Sequence, residues 1–202
     1  MLGAMSLAPK RSPGTATLAD LLAIPEERRR HEVIDGELVE KEAATGEHGV
    51  TQHSVQFLLG PFFGSGKRGG GNGPGGWWFE SEVEILFEPR EIYRPDLIGW
   101  RKERSARPPT GTPITLRPDW IGEILSTNRA NDTVKKRRAY HRAQVPHYWL
   151  LDPGDLTLSV LRWAPEGYVI VLDAERHERV RPEPFDAHEF LVAEFFGEER
   201  AE

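Results

Sequence analysis

The sequence predicts a mixed α/β (α+β) domain, a mixed β-sheet flanked by helices and extended by a β-meander, and three observations carry that prediction. Short runs such as Trp120–Leu125 and His147–Leu151 are rich in apolar and aromatic residues and are bounded by Pro and Asp, as strands are. Two longer stretches, Gly46–Phe63 and Asp132–Ala143, carry helical spacing instead. Trp120–Leu125 is apolar on both faces apart from Glu123, which marks a central strand covered by helices on its two sides.

Taken in order, residues 1–16 are rich in Ser, Pro and Gly and read as a disordered tail, leaving residues 17–197 as one domain. Thr17 opens a short helix as its cap, with Asp20 favouring the helix N-terminus, and Pro25 ends it. Glu32–Glu40 reads as a tight hairpin, because Asp35-Gly36 suits the two positive φ angles of a type I′ turn. In the Gly46–Phe63 helix, Val50, Ser54, Phe57, Leu58 and Pro61 form the expected apolar face, widened by Val55, Leu59 and Phe62. Gly64–Gly76 is a glycine-rich connection holding Lys67 and Arg68; it lacks the order of a phosphate-binding loop. Trp77–Phe87 alternates, with Glu80, Glu82 and Glu84 on the solvent side and Glu84 the one that could turn towards a site. Ile92–Trp100 is the next strand and carries Asp96. A proline-rich exposed loop leads to Trp120–Leu125, and Asp132 caps the basic helix that follows. His147–Leu151, Leu156–Trp163 and Tyr168–Leu172 form the meander, and Leu191–Phe196 a last helical turn.

Composition bounds the function. A chain of 202 residues can bury a real core, and no apolar run approaches the roughly 18 residues of a membrane span. The absence of cysteine excludes disulfides and cysteine–zinc sites and fits a reducing cytoplasm. A net charge of −6 argues against a bulk polyanion binder, so any nucleic-acid contact must come from a local basic patch. His48 and His53 are five apart and do not stack as a two-histidine zinc motif would.

The chemistry is concentrated between Arg94 and Asp152. Asp96 heads one apolar run, Glu123 lies inside another, and Lys136 and Tyr140 sit one turn apart on the helix that follows. An acid in an apolar strand is costly unless it is paired or binds a metal. Two readings of Glu123 are therefore open. It is a metal ligand together with Asp96, or it forms a structural ion pair with Lys136. Phosphodiester hydrolysis needs carboxylates to hold a hard divalent cation and a lysine to stabilise developing charge, which these residues could supply with a strand carbonyl near Ile124.

The motifs RPD (Arg94–Asp96), PDWIGEILS (Pro118–Ser126), D-x3-K-x3-Y (Asp132, Lys136, Tyr140) and VPHYWLLDP (Val145–Pro153) together resemble the Uma2 family of bacterial restriction-endonuclease-like proteins with the PD-(D/E)XK fold. IDGELVE (Ile34–Glu40) and the early His48 agree with it, and the resemblance runs from about Leu18 to Phe196. It implies a Mg²⁺- or Mn²⁺-dependent DNA endonuclease in which Asp96, Glu123 and Ile124 hold the metal, Lys136 assists, and Tyr140 and His48 line the site. The sequence departs from the D/E-x-K pattern, since Leu125 stands two residues after Glu123; the family's lysine has moved to the following helix, where Lys136 matches and Lys135 competes. Two cuts need two sites, so by analogy a homodimer is expected. A non-catalytic nucleic-acid- or partner-binding domain that kept the fold is the alternative, and a metal-free acid/base hydrolase a third.

Overall fold

The computed structural model describes residues 14–64, 73–126 and 129–198. Most of the expected tail, and Lys67 and Arg68 of the glycine-rich connection, lie outside the described residues. Ala16, placed at the end of that tail, is buried and donates its N–H to the Gly36 carbonyl at 2.7 Å.

Helix α1 (Leu18–Leu22) begins as expected: the Asp20 carboxylate accepts hydrogen bonds from the N–H and the hydroxyl of Thr17, both at 2.9 Å. Strands β1 (His31–Ile34) and β2 (Glu37–Glu40) form the predicted hairpin, with Asp35 at φ 52° and Gly36 at φ 73°. Helix α2 (Gly46–Leu59) is capped by Thr45 and passes into a π-helical turn at Gly60–Gly64, where Pro61 cannot donate the next helical hydrogen bond.

The expected apolar face of α2 is corrected. His48, Thr51, Val55 and Leu59 are buried, whereas Val50 and Phe57 are 49% and 69% exposed. The helix is apolar on several sides, so periodicity did not select the face. The packing did, by turning polar His48 and Thr51 inward.

Two expected strands each divide between two sheets. Trp77–Phe87 becomes β3 (Trp77–Glu80) and β4 (Ile85–Glu88), and Ile92–Trp100 becomes β5 (Glu91–Tyr93) and β6 (Leu97–Arg101). Strand order is β2-β1-β5-β4 in one sheet, all antiparallel. In the other, which includes β9 (Thr157–Ala164) and β10 (Gly167–Glu175), it is β10-β9-β8-β7-β6-β3, with β7 (Trp120–Ile124) parallel to β8 (His147–Asp152). Both breaks fall at one level: Glu82 adopts φ 55°, its N–H bonds to the Pro95 carbonyl at 3.1 Å, and Pro95 has no N–H to continue a ladder. Alternation could not reveal the breaks, because each sheet has a buried face and the period of two runs through both. The expected exposed loop before Trp120 is tied down midway, since Ile114 is buried and bridges to Ile85.

The parallel pair β7–β8 is connected by a helical segment. Asn131–Lys136 is π-helical and leads into α3 (Arg137–Arg142). Asp132 is therefore not the N-cap expected of it; it is buried within the segment, facing Lys136. Strands β9 (Thr157–Ala164) and β10 (Gly167–Glu175) complete the predicted meander, strands β11 (Arg179–Val180) and β12 (Phe190–Leu191) form a small pair, and a 3-10 turn at Val192–Phe196 closes the chain.

Two cores sandwich the large sheet. On one side Trp120, Ile124, Trp149 and Leu151 pack with Val55 and Leu59 of α2 and with Phe185 and Phe195. On the other, Ile121 and Tyr148 pack with Ala139 and Tyr140 of α3 and with Ile34 and Tyr93. Alternation along β7 therefore puts Glu123 on the side of α3. Helices on both sheet faces and the added meander are the architecture the sequence predicted.

Candidate active site

The site is a cleft of about 650 Å³ where the two sheets meet, lined among others by Glu32, Lys41, His48, Asp96, Glu123, Ile124, Asp132 and Lys136. Asp96 follows Pro95 at the crossing between β5 and β6 and is 2% exposed. Its Oδ2 accepts the Ile124 N–H at 2.8 Å, which ties it to the residue after Glu123. Its Oδ1 lies 2.7 Å from Lys41 Nζ and 3.3 Å from His48 Nε2. Gln52, one turn beyond His48 on α2, donates to the Asp96 carbonyl at 2.8 Å, so that helix clamps the aspartate from both ends.

Glu123 projects from β7 towards α3. Its Oε1 accepts the Tyr140 hydroxyl at 2.6 Å and lies 3.2 Å from Lys136 Nζ. Lys136 is 3% exposed and shared: Asp132 Oδ1 is 3.2 Å away and Glu32 Oε2 3.3 Å. The Asp132–Lys136 pair is one helical turn apart. Glu32, from β1, uses its other oxygen to accept the Arg94 N–H at 2.7 Å. A single ammonium thus joins the hairpin, the central strand and the helix.

Five carboxylates, Glu32, Glu82, Asp96, Glu123 and Asp132, meet two ammonium groups, Lys41 and Lys136. The electrostatics follow from that imbalance. Burial pushes Glu123 well up, and the Asp96 and Asp132 charges add to it, against the pull of Lys136. Burial likewise raises Glu82 and Asp132. Burial works in the same sense on Asp96, but Lys41 and then His48 outweigh it and hold this carboxyl well below the usual range. Burial would lower Lys136, yet Glu123, Glu32 and Asp132 together hold it well above an ordinary lysine. Tyr140 is raised by burial and by Glu123, so it stays a donor.

All the predicted site residues line or border this cleft. The structure brings Glu123, Lys136 and Tyr140 into direct contact, and Asp96 with His48. Three participants were missed. Glu32 carried a readable signal, since it is an acid within the run His31–Ile34, the same feature that marked Glu123. Glu82, which alternation sets in solvent with Glu80 and Glu84, is instead 2.7 Å from Lys41 Nζ. Glu84, the candidate among the three, is buried against Arg29 at 2.8 Å and is structural. Nothing in the sequence singled out Lys41. His48, Glu82 and Asp96 offer ligand atoms within 4.8 Å of one another.

The Uma2 family model, described as "Putative restriction endonuclease", matches residues 18–190. A crystal structure of a putative nuclease belonging to DUF820 from Anabaena variabilis ATCC 29413 superposes with a TM-score of 0.70. It is 21% identical, and the alignment covers 90% of this chain and 97% of that one, a likeness of fold. No curated protein matches the chain. Among the described residues no helix is long and apolar enough to cross a membrane.

Proposed function

The chain belongs to the Uma2 family of restriction-endonuclease-like proteins, and from that premise we propose that it is a metal-dependent endonuclease hydrolysing phosphodiester bonds in DNA. The observation that carries the reading is the tie between Asp96 Oδ2 and the Ile124 N–H, which sets two acids, Asp96 just before β6 and Glu123 on β7, at one cleft. The donor set fits a hard divalent cation. It is oxygen-rich, buried and short of positive charge, and the upward push on Glu123 and Asp132 is what such a cation would relieve.

Asp96 and Glu123 would hold Mg²⁺ or Mn²⁺ together with the Ile124 carbonyl. With the ion bound, the site gains a Lewis acid that acidifies a water and polarises the phosphoryl oxygen. The chain's own residues do the rest. Tyr140 and Lys136 fix Glu123 Oε1 in one orientation. Lys136 also offsets the charge of the acids, so that an anionic phosphate can approach them. His48 orients Asp96 from the start of α2. Cutting both strands takes two such sites, so the proposal extends to a homodimer acting on DNA.

The test is conversion of supercoiled plasmid to nicked circle with Mg²⁺ or Mn²⁺. Wild type nicks, EDTA abolishes nicking, and Glu123→Ala and Lys136→Ala are inactive while their circular dichroism remains that of folded protein. Wild type inert with every metal refutes the enzyme and leaves a binding domain. Activity that survives EDTA refutes the metal.

A further inference from the structure

Lys41 lies just beyond β2 and reaches into the cleft from the hairpin side. Its ammonium makes three contacts: Glu82 Oε1 at 2.7 Å, Asp96 Oδ1 at 2.7 Å and the Arg94 carbonyl at 2.8 Å. An ammonium has three donors, and here each has an oxygen. His48 Nε2 stands 3.3 Å from the same Asp96 oxygen. Lys41 is thus surrounded by two carboxylates, a carbonyl and an imidazole, the donor types that hold divalent ions. Without it, His48, Glu82 and Asp96 present ligand atoms within 4.8 Å of one another and a pair of acids facing each other.

The two oxygens of Asp96 are divided. Oδ2 is held on the Glu123 side through the Ile124 N–H, and Oδ1 is held on the Lys41 side. A carboxylate divided in this way is what a two-ion phosphodiesterase uses to bridge its metals, which stand about 3.5–4 Å apart. Resting on the metal-dependent reading above, we infer that Lys41 is a built-in cation: its ammonium fills the place beside Asp96 Oδ1 that a second divalent ion would take, so the protein takes up one ion, on the Glu123 side. Lys41 sets ion stoichiometry by occupying the position. It is tethered to the chain, and a chelator cannot remove it.

Mn²⁺ binding to the full chain tests this, by isothermal titration calorimetry and by electron paramagnetic resonance. Wild type binds one ion. Lys41→Met binds two, with the spin-coupled signal of a close pair. Lys41→Met combined with Glu82→Gln returns to one, because the second ion has lost a ligand. Two ions in wild type, or one uncoupled ion in Lys41→Met, overturn the role of Lys41 and leave the single-ion nuclease intact. No ion in wild type overturns instead the metal-dependent reading on which the inference rests. Thermal unfolding covers a variant of low stability. Mn²⁺ raises the Tm of Lys41→Met by more than it raises that of wild type, since binding to the folded state adds stability for each site. Equal increments overturn the inference.

Discussion

Replacing Lys136 by Met removes the one ammonium that three carboxylates share at 3.2–3.3 Å. The side chain is 4% exposed, so solvent screens these pairs little. Breaking a buried ion pair by deleting one partner costs about 3–5 kcal/mol, because the other charge is left uncompensated. Three orphaned acids argue for the upper end, and their ability to take up a proton sets a ceiling. For a domain of this size each kcal/mol moves the Tm by about 2–4 °C, so the expected drop is roughly 6–20 °C near neutral pH. The sign of the pH dependence follows from the same acids. In the variant Glu123 and Asp132, already raised by burial, lose the downward pull of Lys136 and their folded pKa values rise further above the unfolded ones, so the penalty is absent below the unfolded carboxyl range of about 4 and grows as pH rises through the folded values. Thermal unfolding of wild type and variant at about pH 5 and about pH 8 measures both effects. Lys135→Met, which breaks none of these ion pairs, stays within about 0.5 kcal/mol of wild type. A Lys136→Met protein as stable as wild type at the higher pH, or one with the same deficit at both, would refute the account.

Two further outcomes are expected. Tyr140→Phe removes a buried donor to the Glu123 carboxylate and keeps the ring packing, so urea denaturation should show a loss of about 1.5–3 kcal/mol with an unchanged m-value. His147 is held neutral down to about 4, against its ordinary 6.5, by burial and by the nearby Arg101 and Arg162. The unfolded chain takes up that proton first, so this stability is fully present above pH 6.5 and is lost as pH falls towards 4; His147→Asn should flatten that limb of the Tm–pH curve.

What the sequence revealed divides by the range of the cause. The Asp35-Gly36 turn is legible because its two positive φ angles are demanded locally. Glu123 is legible because a charge in an apolar strand has a cost wherever the strand lies. The D-x3-K-x3-Y spacing fixes one helix face, and the structure adds that Asp132 belongs to that face and does not cap the helix. The strand breaks at Glu82 and Pro95 are not legible, because the hydrophobic alternation continues across them into a second sheet. With those breaks hidden, Glu82 reads as solvent-facing and Lys41 as an ordinary surface lysine. Both acquire their role only from contacts more than 40 positions away in the chain. The face of α2 is hidden for a related reason: polar His48 is buried against Asp96, and Thr51 turns inward with its hydroxyl satisfied by the Glu47 carbonyl of its own helix.

The seam between the two sheets has a consequence for the order in which the molecule becomes competent. Glu32 and Lys41 belong to the hairpin of the small sheet, Glu123 and Lys136 to the large sheet and its helix, and Glu82 and Asp96 to the two crossings between them. Neither half contains the cluster by itself. A chain emerging from the ribosome cannot assemble it until residue 136 has been made and the helical segment has docked. Proteolysis between Asp96 and Glu123 parts Glu32 from Lys136 and Asp96 from the Ile124 N–H. The arrangement is therefore a completeness check, in which the five acids and two lysines come together only in the finished fold.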